Sequence, residues 1–245
     1  MSSRRWRATI SCRCSRSCQP CSNPTDPSVQ ATTDEETPPL LLDESPASEA
    51  VGQGDVPDLD LARAFAELGS DASTDGPAPD LVGADRLLVC GTPVLDQGLP
   101  ITGRLVATLS GPEFGQFHQV IAYQKADSAQ AQMGHLRDLL DGCERQARAT
   151  DDSGAPPMEI RWRHEDTATG YDTVSFGSGL VYVETGEIAN PGSQTLQVTR
   201  VGRALLVVGE SSEGNIDDFD QYVADLSSHT RDLAPELCSF TARGC

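Results

Sequence analysis

Lysine is nearly absent: Lys125 stands alone in 245 residues. Aromatic residues make up 5% and the whole hydrophobic set 38%, below the usual globular share, while 16 Pro and 22 Gly raise the loop content. A chain this long can still bury a sizeable core, so the shortfall predicts that part of it stays outside the folded body. Long apolar runs are missing too. The longest candidates, 204–208 and 40–42, fall far short of the roughly 18 residues that a membrane-spanning helix needs. No such helix is predicted.

Positive charge is scarce overall. Eighteen Lys and Arg face 37 Asp and Glu, which gives −19 at pH 7 and a pI near 4.4. A phosphate-binding surface needs clustered Lys and Arg, so nucleic acid and an anionic membrane face are excluded as partners. The imbalance is uneven along the chain. Residues 1–21 hold five Arg and no acid, 22–60 hold ten acids and no base, and 61–245 hold 27 acids against 13 bases. Arg in place of Lys, with much Ala, Gly and Asp, hints at a GC-rich genome.

Catalytic and cofactor motifs are missing as well. There is no P-loop, no dinucleotide-binding glycine fingerprint and no H-E-x-x-H zinc motif. Gly177-Ser178-Gly179 does not match the G-x-S-x-G nucleophile elbow. The acidic run from Glu213 to Asp220 lacks the alternating oxygen ligands and mid-loop Gly of a calcium loop, and reads as a helix cap. His118, His135, His164 and His229 lie beside polar residues or at element ends, as surface or partly buried structural groups do. No cofactor, metal or catalytic residue is assigned, and the chain is expected not to be an enzyme. One cluster invites a ligand: Glu159, Arg161 and Arg163 share a face of a predicted strand, where two guanidinium groups can grip a carboxylate or phosphate. A solvated sheet face is the alternative.

Cysteine is present in two groups. Cys12, Cys14, Cys18 and Cys21 crowd an Arg- and Ser-rich start, whereas Cys90, Cys143, Cys238 and Cys245 are spread singly. The second group is expected to form two disulfides in an exported protein, with three connectivities open. Free core cysteines in a cytosolic protein are the alternative. The basic start of an export signal is there in Arg4, Arg5 and Arg7, but its apolar segment is not. Residues 1–21 are therefore a Cys-rich metal knot, a disordered tail, or a degenerate or mis-called signal region. The spacing C-x-C-x3-C-x2-C lacks the paired knuckles of known zinc sites. Cys21 followed by Ser22, Asn23, Pro24 and an acidic run looks like the mature start of a bacterial lipoprotein, which makes Cys21 the candidate lipid attachment.

From residue 22 to 56 the chain carries five Pro, eight acids and no aromatic residue, so it cannot offset its ordering entropy and is expected to be a disordered tether. The folded domain is placed at 57–245. Leu61, Ala64, Phe65 and Leu68 predict a short helix over 58–68, followed by a flexible patch over 70–79. Alternation predicts strands at 104–110 and 117–124. Asp127 and Gln130 suggest a capping box, opening a helix whose Ala129, Met133, Leu136, Leu140 and Cys143 share one face. Further strands are expected at 158–164, 172–176 and 180–184, with a pair over 195–210 broken at Gly202. Asn215 caps a last helix bearing Ile216, Phe219, Val223, Leu226 and Leu233, stopped or kinked near Pro235. The predicted fold is α+β: an antiparallel sheet of about five to six strands packed against two main helices.

Leu88-Val89-Cys90-Gly91, the strand-into-helix run Val120-Ile-Ala-Tyr-Gln-Lys-Ala-Asp-Ser-Ala-Gln-Ala-Gln132, Val198-Thr-Arg-Val-Gly-Arg-Ala-Leu205 and Leu237-Cys238 occur in an order that carries a resemblance. Residues from about 57 to 245 resemble the extracellular sensor-like domain of actinobacterial lipoproteins, similar to the external C-terminal domain of certain mycobacterial membrane Ser/Thr kinases. The resemblance implies a noncatalytic domain outside the membrane, stabilised by disulfides, with a cleft for an unidentified small ligand or cell-envelope partner. It implies no transferable binding residues. A secreted hydrolase and a cytosolic interaction protein are the rival classes.

Overall fold

Ten strands and two α-helices make up the computed structural model, which describes residues 54–65, 72–79, 87–94, 98–112, 114–147 and 156–242. A 3-10 turn at Leu61–Ala64 precedes β1 (Ser73–Ala78), the hairpin of β2 (Leu88–Val89) and β3 (Thr92–Pro93), β4 (Ile101–Ser110) and β5 (Phe114–Tyr123). Then come α1 (Ala126–Asp141), β6 (Arg145–Ala147), β7 (Met158–Asp166), β8 (Asp172–Tyr182), β9 (Ile188–Val201) and β10 (Ala204–Ser212). A 3-10 turn at Ile216–Asp218, α2 (Phe219–Leu233) and a 3-10 segment at Ala234–Phe240 end the described chain.

Eight strands form one antiparallel sheet in the order β1-β4-β5-β10-β9-β8-β7-β6. The α+β class holds, with more strands than the five to six expected. Successive side chains of a strand point to opposite faces, and β10 shows both faces in use. Its Leu205 and Val207 join Ile121, Tyr123, Phe176, Leu196 and Val198 beneath Met133, Leu136 and Leu140 of α1. Its Leu206 and Val208 join Leu105, Val120 and Ala122 beneath Leu226 and Leu233 of α2, with Leu237 and Phe240 beyond. One helix therefore covers each face.

Several local expectations change. Residues 73–78, expected to be flexible, form β1, which pairs with β4 although five of its six residues are exposed. The predicted helix over 58–68 is the single 3-10 turn Leu61–Ala64, with residues 66–68 outside the described set. α1 begins after Lys125 with no side-chain cap, so Asp127 is not the cap but sits in the first turn, where a negative charge suits the helix dipole. The two strands expected at 172–176 and 180–184 are one strand. Gly177 and Gly179 make no turn but leave room for α2: a Cβ on Gly177 would stand 3.0 Å from the Phe219 ring, and one on Gly179 2.8 Å from Ile216 Cβ. The break at Gly202 is as expected, with φ +59° in the β9–β10 turn. Asn215 Oδ1 accepts from the Asp217 N–H at 2.9 Å and caps the turn that leads into α2.

The half of the α2 face formed by β8 and β9 is polar yet buried: Thr173, Ser175, Thr195, Gln197 and Thr199. Gln197 holds it to the helix. Its Nε2 donates to Ser175 Oγ (2.9 Å) and Ser227 Oγ (3.0 Å), and its Oε1 accepts from Thr230 Oγ1. On the α1 side, the β2–β3 hairpin is tied to the end of the helix by the Cys90–Cys143 disulfide, with Cα atoms 6.1 Å apart. Cys238 is also disulfide-bonded, while Cys245 and Cys21 lie outside the described residues.

Candidate functional site

β7 pairs with β8 so that Glu159 faces Val181, Arg161 faces Gly179 and Arg163 faces Gly177. Residues directly opposite in an antiparallel pair share a face. All three side chains therefore lie on the α2 face, as their alternate spacing predicts. Their partners divide them. Arg161 Nη2 donates to Glu159 Oε1 at 3.4 Å, whereas Arg163 turns to the start of α2, with Nη2 3.0 Å from Asp220 Oδ1 and its guanidinium 5.0 Å from the Phe219 ring centroid. Arg163 is thereby committed to docking the helix.

The second cation beside Glu159 is Arg145, which the β6–β7 register sets opposite Arg161. Its Nη1 lies 3.6 Å from Glu159 Oε1. Nothing in the sequence pattern marks Arg145, because it sits on a three-residue strand whose pairing only the sheet supplies. The Glu159 side chain is 12% exposed, against 35% for Arg161 and 66% for Arg145. Two guanidinium groups thus share one sunken carboxylate. The corner carries one net positive charge in a strongly acidic protein, and Arg161 Nε is buried without a hydrogen-bond partner among the described residues. Such a corner can accept one further anionic oxygen pair, in the bidentate manner of arginine.

A second ion cluster lies at the other end of the sheet and closes on itself. Arg137 of α1 bonds Asp166 (2.9 Å) and Asp172 (2.8 Å), and Asp172 is also bonded by Arg200 Nε at 2.8 Å. Burial works against the Asp172 charge, but hydrogen bonds from Arg200 and Arg137 outweigh it and hold its carboxyl below the usual range. Glu210 on β10 is shifted the other way, pushed up first by burial and then by Asp225, against one hydrogen bond from Gln116.

Two of the histidines are brought together more deeply than the sequence suggests. His118 on β5 has no exposed surface; its Nδ1 lies 2.7 Å from the Leu61 carbonyl oxygen and its Nε2 3.1 Å from His229 Nδ1 on α2. Burial is the main cause that pulls His118 down to about 4, and it lowers His229 as well. His164 pairs with Asp141 at 3.1 Å on the other face.

No protein-family model matches this chain, and no curated protein matches it. Among solved structures, the chain is similar to the extracellular domain of PknH from Mycobacterium tuberculosis, at 15% sequence identity and a TM-score of 0.42, over 66% of this chain and 78% of that one.

Proposed function

We propose that this protein is a noncatalytic sensor or ligand-binding domain that works outside the cytoplasm, tethered to the cell surface through a lipid on Cys21, and that its ligand is a small anion or an anionic group of a cell-envelope partner. The observation that carries the proposal is the Arg145–Glu159–Arg161 corner, where two cations share one carboxylate and a buried guanidinium nitrogen has no partner among the described residues. The Cys90–Cys143 bridge supports the location, because structural disulfides persist in oxidising compartments.

Titration of the full chain with inorganic phosphate and with succinate, followed by amide NMR shifts, tests the site. Saturable shifts centred on β6 and β7 are expected, lost in R161Q and retained in R163Q. Shifts that do not saturate, or that R161Q leaves unchanged, would overturn the assignment.

A further inference from the structure

Residues 54–65 cross the α2 face as a strap that belongs to neither helix. Val56, Leu59 and Leu61 are buried in the core beneath α2, and Ala64 and Phe65 pack against it. One end is held by Asp55, which accepts from Thr102 Oγ1 at 2.9 Å and from Arg203 Nη2 at 2.5 Å. The other end rests on His118. The Leu61 carbonyl accepts from that ring, and Phe65 stacks on it with centroids 4.3 Å apart and planes at 20°. His229 then meets the far edge of the same ring, T-shaped at 85°.

We propose that the His118–His229 pair is an acid-sensitive latch, whose protonation loosens residues 54–65 from the sheet while the rest of the fold stays intact. The hydrogen-bond pattern gives the reason. A carbonyl oxygen only accepts, so His118 Nδ1 carries the hydrogen, and Nε2 of the neutral ring is an acceptor. His229 Nδ1 must donate to it. One added proton is tolerated on His229 Nε2, because His229 Nδ1 still donates to His118. A second proton sets two N–H groups against each other at 3.1 Å. That second charge also falls on the His118 ring, which lies between Leu61, Phe65 and the sheet with no exposed surface.

The surroundings do little to rescue that charge. On the sheet, His118 is flanked by Ala107 of β4 and Val208 of β10, with Gln116 and Glu210 one row further along. From α2, Asp225 and Asp232 favour a charge on His229 but make no hydrogen bond to His118. The strap contributes Arg63, which pairs with Glu236 of the C-terminal 3-10 segment and donates to the Asp232 carbonyl at 2.6 Å. At the other end of the strap, burial opposes the Asp55 charge, yet bonds from Arg203 and Thr102 keep its carboxyl below the usual range. Asp55 therefore stays charged and anchored while the histidines titrate, and the strap opens from the Leu61–Phe65 end.

Hydrogen exchange of the full chain between pH 7 and pH 4.5, corrected for intrinsic rates, tests the latch. Exchange within 54–65 is expected to rise about tenfold or more per pH unit below pH 6.5, as one or more linked protons require, while α1 and β10 keep their protection. H118Q retains a donor for the Leu61 carbonyl and is expected to flatten the response to less than about tenfold over the whole range. H229Q, on the partly exposed helix position, removes one titrating ring and is expected to shrink the response about tenfold, which keeps a test available if H118Q fails to fold. Protection of 54–65 that is unchanged at pH 4.5, that is lost together with α1, or that responds equally in both variants would overturn the proposal.

Discussion

Single side chains here act as junctions, and Gln197 is the plainest case. It is fully buried, its amide nitrogen serves Ser175 and Ser227, and its oxygen serves Thr230. A buried amide is tolerable only because every hydrogen-bonding group on it is used. Q197A removes the acceptor of Thr230 and opens a cavity, while Ser175 keeps Thr167 and Ser227 keeps the Val223 carbonyl, so it is expected to cost about 2 kcal/mol, read as a lower urea midpoint with an unchanged m-value. A loss below about 0.5 kcal/mol would mean that water replaces the amide without penalty. Arg163 illustrates the same economy of roles: spacing alone groups it with Arg161, yet Asp220 and the Phe219 ring draw it away.

At the scale of elements, the close seating of α2 depends on two glycines. Gly179 lies under Ile216, and a Cβ there would meet Ile216 Cβ at 2.8 Å, closer than side-chain carbons approach. G179V is expected to displace the turn at Ile216–Asp218, destabilising the domain by about 2 kcal/mol. Amide shifts confined to the start of α2 would confirm it; a variant as stable as the parent would count against it. The same glycines explain what the sequence conceals. Periodicity exposes α1, α2, β4, β5 and β7, although β5 feeds both cores, Ile121 and Tyr123 on one face and Val120 and Ala122 on the other, and Gly202 marks the β9–β10 turn. β8 is misread as two strands because Gly177-Ser178-Gly179 has turn composition but serves helix packing. β1 is invisible because its side chains face solvent, and Arg145 is missed because its meaning comes from register with Arg161 rather than from its neighbours in sequence.

Across the whole molecule, titratable groups set an acid profile with two steps. His118 is held below its unfolded value, so the stability it contributes is complete above pH 6.5 and is lost as the pH falls towards about 4. That lowering corresponds to about 3 kcal/mol. The lowered carboxyls of Asp55 and Asp172 lose their contribution further down, below the ordinary aspartate value of 3.8. Glu210 runs the other way: its raised pKa costs stability while it is ionised, and protonation in the carboxylate range returns some of that. Urea midpoints are expected to fall between pH 7 and pH 4 in the parent and much less in H118Q. Equal slopes in the two proteins would remove His118 from the account.

The position of β10 has a consequence for how the chain is made. It is the last strand of the described residues, yet it lies between β5 and β9 near the middle of the sheet. A chain emerging from its N-terminus can zip the β4–β5 ribbon and the β7–β8–β9 meander early, since each joins neighbours in sequence. The two halves then wait as separate ribbons, each with a bare edge of the kind that invites pairing with another chain. Only when residues 204–212 arrive does one strand seal both edges at once. Assembly is thus completed from the centre by the latest strand, so the span at risk of misassociation is set by the time between the synthesis of Tyr123 and that of Ala204.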